Sequence, residues 1–275
     1  MNLPFLGSRD KPLRMVWRVE KDGRRSYLVG TAHFFPYSFA RSLTGLLRKV
    51  ETVIFEGPLD EESMDRIASY GRQGDSLPSL ADALEPEVIR EINRQLGRRL
   101  GDQAGSEFYF ILEPSRPNYF EMVTRGVRPW MAFFSIWSTC LGWKYSVDME
   151  GFHIAQKLGK RICFLETVEE QLAVLDAIPF ERIVRQLNQI SHWPVYTGRY
   201  VELFLAGDVH GLLSLTDNFA SRCRPVVSDR DGLLFQRMKS IFEREDAVAF
   251  VGFPHFPGIS KLFLEQGYRV SQGVA

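Results

Sequence analysis

Two histidines of this 275-residue chain share one short setting, Gly30-Thr-Ala-His33 and Gly252-Phe-Pro-His255. Each follows an apolar run of extended character, Tyr27-Leu-Val in the first case and Val248-Ala-Phe-Val in the second. Imidazole ligates metal ions and transfers protons near neutral pH, and open α/β sheets bind their ligands where strands end. The pair therefore points to metal binding or acid–base work in a single crevice, with one histidine from each of two half-units. Gly30 and Gly252 suit this, because a residue without a Cβ lets the backbone turn sharply or approach a ligand closely. For either histidine alone the competing reading is a buried, hydrogen-bonded core residue.

Carboxylates stand at similar places. Glu56 closes Thr52-Val-Ile-Phe, and Glu166 closes Arg161-Ile-Cys-Phe-Leu. A carboxylate at a buried strand end is costly unless it is paired, hydrogen-bonded or metal-bound. Glu166, followed by Thr167, reads equally well as a helix cap, whereas Gly57-Pro58 argues against capping by Glu56. Asp148, two residues after Ser146, reads from spacing as an N-cap. Arg230 is expected at a helix start, where a cation opposes the helix dipole unless an acid or anionic ligand compensates; Asp229 and Asp231 flank it. Tyr27, Phe34, Phe35, Phe253 and Phe256 are expected to wall the pocket. His153 is assigned to a helix, His192 to a loop, and Asp208 with His210 to an exposed helical pair. No GxSxG, P-loop, GxGxxG or HExxH pattern is present.

The elements that must position these residues follow from hydrophobic periodicity. Met15 to Glu20 alternates apolar and polar, Asp22-Gly23 supplies a turn, and Ser26 to Gly30 resumes the extended pattern, which predicts a β-hairpin. A helix is predicted over 38–49, strands over 52–56, 161–166 and 246–252, and helices over 149–158, 168–175, 233–242 and 259–265, with a last strand at 268–270. Between these the pattern is helical, opened at Glu85-Pro-Glu87 and interrupted at Pro114 and Pro117. The expected architecture is one α/β domain over 1–275, with a mixed central sheet, two pseudo-symmetric GxxH-bearing halves, and helical insertions at about 59–143 and 178–225.

Composition bounds the partners. Thirty-four Lys+Arg against 34 Asp+Glu give no basic excess for nucleic acid or an anionic membrane. Cys140, Cys163 and Cys223 form no CxxC pair, so neither a disulfide framework nor a thiolate zinc site is indicated, and a reducing compartment fits best. The first residues lack an apolar signal region, which favours a cytoplasmic location. The apolar run Trp130 to Trp143 is shorter than the ~20 residues of a membrane span and reads as a buried helix between Pro129 and Gly142.

The segments Tyr27-Leu-Val-Gly-Thr-Ala-His33, Val53-Ile-Phe-Glu56, Arg128-Pro-Trp-Met131, Ser146-Val-Asp148, Leu165-Glu-Thr-Val-Glu-Glu-Gln171, Val251-Gly-Phe-Pro-His-Phe-Pro-Gly258 and Gly267-Tyr-Arg-Val270 together resemble the TraB/PrgY/GumN family, which includes the Tiki proteases. The resemblance runs in order over nearly the whole chain. It implies an α/β core related to the erythromycin-esterase and haem-binding ChaN-like folds. It also implies metal-dependent peptide hydrolysis with manganese or cobalt, carried by His33, Glu56 and His255, with Asp148, Glu166 and Arg230 at further family positions. Members linked to peptide pheromones suggest peptide cleavage or capture. The chain departs from the family at Asp231, where Asn is usual, and at Ile259-Ser260, where Gly-Leu is usual.

The reading that emerges is a metal-dependent hydrolase of peptides. His33 and His255 hold a divalent ion (Mn, Co or Zn), Glu56 is ligand or general base, and Arg230 steadies an anionic substrate group or oxyanion. The alternative is a non-catalytic protein that captures a peptide or small ligand in the same crevice. Convergence of the three side chains on a metal would favour the first; imidazoles bonded to core carbonyls would favour the second.

Overall fold

The computed structural model describes residues 10–74, 77–101 and 118–273. Pro114 and Pro117 lie outside them. The described residues form six strands, β1 (Val16–Lys21), β2 (Arg24–Thr31), β3 (Thr52–Phe55), β4 (Arg161–Phe164), β5 (Ala247–Gly252) and β6 (Arg269–Gly273). They also form helices α1 (Ala40–Leu47), α2 (Glu61–Gly71), α3 (Leu80–Ala83), α4 (Pro86–Gly101), α5 (Tyr119–Thr124), α6 (Pro129–Leu141), α7 (Val147–Lys157), α8 (Val168–Asp176), α9 (Phe180–Asn188), α10 (Trp193–Ala206), α11 (Val209–Thr216), α12 (Ser228–Phe242) and α13 (Phe256–Glu265). The fold is α/β with a mixed central sheet, as expected.

The sheet order is β4-β3-β5-β2-β1-β6. β4, β3, β5 and β2 run parallel, while β1 is antiparallel to both β2 and β6. Asp22 and Gly23 take left-handed φ values of 50° and 81°, which tightens the β1–β2 connection into the expected turn. β5 is the last of the parallel four in sequence, yet it inserts between β3 and β2. The four parallel strands therefore end along one edge, and each chain exit there carries a singled-out residue: His33 after β2, Glu56 after β3, Glu166 after β4 and His255 after β5.

β3 and β5 are buried on both faces, as strands covered by helices must be. Their side chains and Phe35, Phe39, Phe152 and Phe204 form the sheet core, with Phe55 and Phe250 stacked at 4.8 Å. A second core lies among the helices. Ile92, Leu96, Trp130, Phe133 and Trp137 meet Ile183, Leu187 and Trp193, so helices from both sides of β4 in the sequence pack together. α6 starts with Pro129 and ends at Gly142 in the left-handed region (φ 58°), burying Trp130, Ala132, Phe133, Ile136 and Trp137. Among the described residues no helix is long and apolar enough to cross a membrane.

Several expected boundaries move. α12 begins at Ser228, five residues before the expected start, which brings Arg230 and Asp231 into its first turn. α13 begins at Phe256, directly after a 3-10 turn over Phe253–His255. β4 stops at Phe164, leaving Glu166 beyond the strand. His192 ends a 3-10 turn rather than lying in a loop, and Asp208 caps α11 by accepting from the Gly211 N–H at 2.8 Å.

Candidate functional site

Local hydrogen bonding brings the strand exits together. The Leu165 N–H donates to Phe55 O at 2.9 Å and the Glu166 N–H to Glu56 O at 2.7 Å, so the β3–β4 ladder runs past both strands and sets the two glutamates side by side. On the β2 side, Phe35 forms an antiparallel bridge with Tyr145, and the Val147 N–H donates to Ala32 O at 3.1 Å. The first turn of α7 is thereby fixed against the His33 segment.

Arg230 is the hub. Its Nε donates to Glu166 Oε1 at 2.8 Å and its Nη2 to Glu166 Oε2 at 2.5 Å and Glu56 Oε2 at 2.9 Å. Its Nη1 donates to Val226 O at 2.9 Å and lies 3.3 Å from His255 Nε2. A guanidinium has five N–H groups, and all five are used. Since arginine only donates, His255 Nε2 is an acceptor here and Nδ1 carries the proton, which points to Asp231 Oδ1 at 2.7 Å. His255 is 3% exposed, so this tautomer is held inside the protein.

Glu56 is similarly engaged, with Oε1 accepting from the Gly252 N–H and Oε2 from Arg230. Burial opposes its ionisation, but the Arg230 guanidinium and the Gly252 N–H prevail and hold its pKa at about 2. It is a standing carboxylate. A general base works best with a pKa near the working pH, so of the two roles assigned to it, ligand or general base, Glu56 suits the ligand.

The other histidine differs. His33 Nδ1 lies 3.0 Å from Asp148 Oδ2, its side chain is 72% exposed, and its Nε2 has no hydrogen-bond partner among the described residues. The Asp148 carboxylate, helped by Glu56, raises its pKa above the usual imidazole value. No hydrogen bond or ion pair among the described residues joins His33 to Glu56 or to Arg230; they are coupled through charge alone.

Five expectations change. Asp148 is not the N-cap of α7: Ser146 accepts from the Met149 N–H, which frees Asp148 for His33. Glu166 does not cap α8, because Thr167 and Glu170 form a capping box and Glu166 turns to Arg230. The flanking acids do not compensate Arg230, since Asp229 pairs with Arg224 and Asp231 with His255. Phe35, Phe253 and Phe256 belong to the sheet core rather than a pocket wall, because aromatic rings beside a strand exit bury more area inward. Gly30 and Gly252 have no left-handed φ. A Cβ at Gly30 would press on Met15 and Phe256, and one at Gly252 would lie 3.3 Å from Glu56 Oε1, so both glycines serve close packing.

Asp231 is the member that spacing alone did not reveal as a histidine partner. Gly258 makes room for it, because a Cβ there would overlap the Asp231 carboxylate. Tyr200 of α10 was also missed; burial raises its phenol's pKa, and the Asp148 charge acts on it in the same direction. Only its i,i+4 spacing from Tyr196 signalled a shared helix face.

The TraB/PrgY/gumN family model matches residues 15–272, which contain every residue of this cluster. The chain belongs to the TraB/PrgY/gumN family. No curated protein matches it. In this family member Glu56, Glu166, Asp148 and Asp231 accompany one hub guanidinium and two imidazoles. Among the described residues no three His, Cys, Asp or Glu converge as a ready metal-ligand group. The donor chemistry still suits a cation: carboxylates outnumber guanidinium, and each imidazole has Nδ1 on a carboxylate, the usual support of a metal-ligating histidine. His33 Nε2 is open, whereas His255 Nε2 is held by Arg230. The imidazoles bond to carboxylates rather than core carbonyls, so neither of the two arrangements anticipated from the sequence is met in full.

Proposed function

We propose that this crevice hydrolyses peptide bonds with a divalent metal ion, Mn, Co or Zn, as its cofactor. The observation that carries the reading is the matched bracing of the two GxxH histidines, His33 by Asp148 and His255 by Asp231, at the exits of neighbouring parallel strands. His33 through Nε2 and Glu56 through its remaining lone pairs would hold the ion, and His255 would join them by exchanging its contact with Arg230. A divalent ion so held supplies Lewis-acid polarisation of a carbonyl and an acidified water.

The chain's own residues have separable tasks. Asp148 orients His33 and favours proton release from Nε2 rather than Nδ1. Asp231 does the same for His255. Arg230 is a positioning residue: with all five donors engaged it fixes Glu56 and Glu166 and is not free to take up an oxyanion.

Metal analysis of the purified protein tests the reading, combined with hydrolysis of a quenched-fluorescence peptide library. About one ion per chain and cleavage are expected, both lost in a His33→Ala/His255→Ala double variant. A metal-free protein whose peptidase activity survives His33→Ala rejects the reading. The Arg230–His255 contact favours the second reading, a protein that captures a peptide without cleaving it, since it keeps one imidazole occupied. Peptide binding without turnover at saturating metal would select it.

A further inference from the structure

Tyr200 of α10 is gripped by rings from the segments that build the site. Its ring centroid lies 6.3 Å from that of Phe35, two residues after His33, and 6.1 Å from that of Phe253, two residues before His255. It also stacks at 6.5 Å and 19° on Trp143, which leads into residues 145–148, the stretch bonded to the His33 segment. A side chain of the helical layer thus touches both GxxH segments.

The hydroxyl is what these contacts leave over. Tyr70 gives its phenol to Asp176 at 2.5 Å, whereas the Tyr200 hydroxyl has no hydrogen-bond partner among the described residues. It is not sealed in either: the enclosed, unpartnered polar side-chain atoms among these residues are Arg18 Nε, Thr31 Oγ1 and Arg222 Nε. A half-buried phenol usually finds a partner, so an accessible one left over beside a site is fitted to a ligand. Burial raises its pKa, and the Asp148 charge acts in the same direction, so the hydroxyl keeps its proton and can donate.

The donors of the polar cluster are already committed. Arg230 has all five N–H groups engaged, the Gly252 N–H is on Glu56, and the His255 proton is on Asp231. A peptide carbonyl under attack gathers negative charge on its oxygen, and a fixed neutral donor stabilises that charge best in a partly dry setting. We infer that the Tyr200 hydroxyl donates a hydrogen bond to the carbonyl oxygen of the bound peptide, one that tightens as this oxygen gains charge. The inference rests on the peptide reading above for the nature of its ligand, but a tetrahedral mimic allows it to be measured without turnover.

Tyr200→Phe tests it, because the substitution removes one oxygen and keeps the ring contacts. With manganese-loaded protein and a quenched-fluorescence peptide, kcat and kcat/KM are expected to fall together by about a hundredfold while KM moves less than about twofold, as for a donor engaged chiefly in the transition state. A phosphinic pseudopeptide, whose anionic tetrahedral group replaces the scissile amide, should bind Tyr200→Phe about ten- to a hundredfold more weakly than wild type, and the matching amide peptide less than about twofold more weakly. Manganese affinity should stay within about twofold, and the melting temperature within about 2 °C, since no bond inside the protein is lost. Equal losses for the phosphinic and amide peptides, or an activity loss matched by a fall in melting temperature of more than about 5 °C, overturns the inference by making ring packing the cause. Turnover that Tyr200→Phe leaves undiminished overturns it and leaves the hydrolase standing. Tyr200-dependent binding of the phosphinic peptide without turnover of any amide supports it and rejects the hydrolase, and a protein that neither binds nor cleaves these peptides rejects both.

Discussion

Arg230 and Glu166 meet through two parallel hydrogen bonds, Nε to Oε1 at 2.8 Å and Nη2 to Oε2 at 2.5 Å, on a carboxylate only 1% exposed. Such a fork tolerates no half-removal, because the surviving charge stays buried. Glu166→Gln is expected to lower the unfolding free energy by about 3 kcal/mol, measured by urea denaturation. A loss under about 1 kcal/mol would mean that Arg230 finds sufficient compensation in Glu56 alone.

His33→Ala should separate function from stability. The side chain is 72% exposed, but its removal leaves the buried Asp148 carboxylate without its imidazole, so the unfolding free energy is expected to fall by only about 1 kcal/mol. On the proposed function it lowers peptide hydrolysis by at least about a hundredfold. A folded variant with undiminished turnover would exclude His33 from the chemistry.

Asp231→Asn keeps an oxygen acceptor for His255 while removing the carboxylate charge. The amide oxygen can still accept from His255 Nδ1, so the fold is expected to persist, whereas one negative charge beside the imidazole is lost. On the proposed function, affinity for manganese is expected to fall about tenfold by isothermal titration. Unchanged affinity would confine Asp231 to fixing the imidazole's orientation.

Glu170 provides the pH dependence. Hydrogen bonds from Arg237, and then from the Thr167 N–H, hold its pKa at about 2, below the usual 4.5. A depressed pKa contributes stability above about pH 4.5, and this is lost as pH falls toward 2. With 36% of the side chain exposed, solvent screening leaves about 1 kcal/mol. Wild type should therefore exceed Glu170→Gln by that amount at pH 7 and by little at pH 2; a pH-independent gap would assign the effect to packing.

The strand exits were legible because alternation and buried runs mark where a strand stops, and in a parallel sheet those stops share an edge. His33, Glu56, Glu166 and His255 could be singled out on that basis alone. Their partners could not. Asp148 and Asp231 lie in the first turns of α7 and α12, where a carboxylate commonly serves its own helix, and spacing does not say which way it turns. The start of α12 was only partly legible: Arg230 could be placed near a helix start, but Ser228-Asp-Arg-Asp-Gly232 has no apolar periodicity to fix where the helix begins. Tyr200 becomes visible only when tertiary neighbours are known.

Arg182 belongs to α9 and the helical core, yet the carbonyls it gathers, from Asp217 to Arg222, belong to the chain leading into α12. One side chain therefore acts as a mooring between two layers. A substitution at Arg182 would reach Arg230 without touching it, by loosening the segment that carries the Val226 carbonyl and leads into α12. Helical sequence far from the strand exits can in this way shift the hub guanidinium while leaving the exits themselves unaltered.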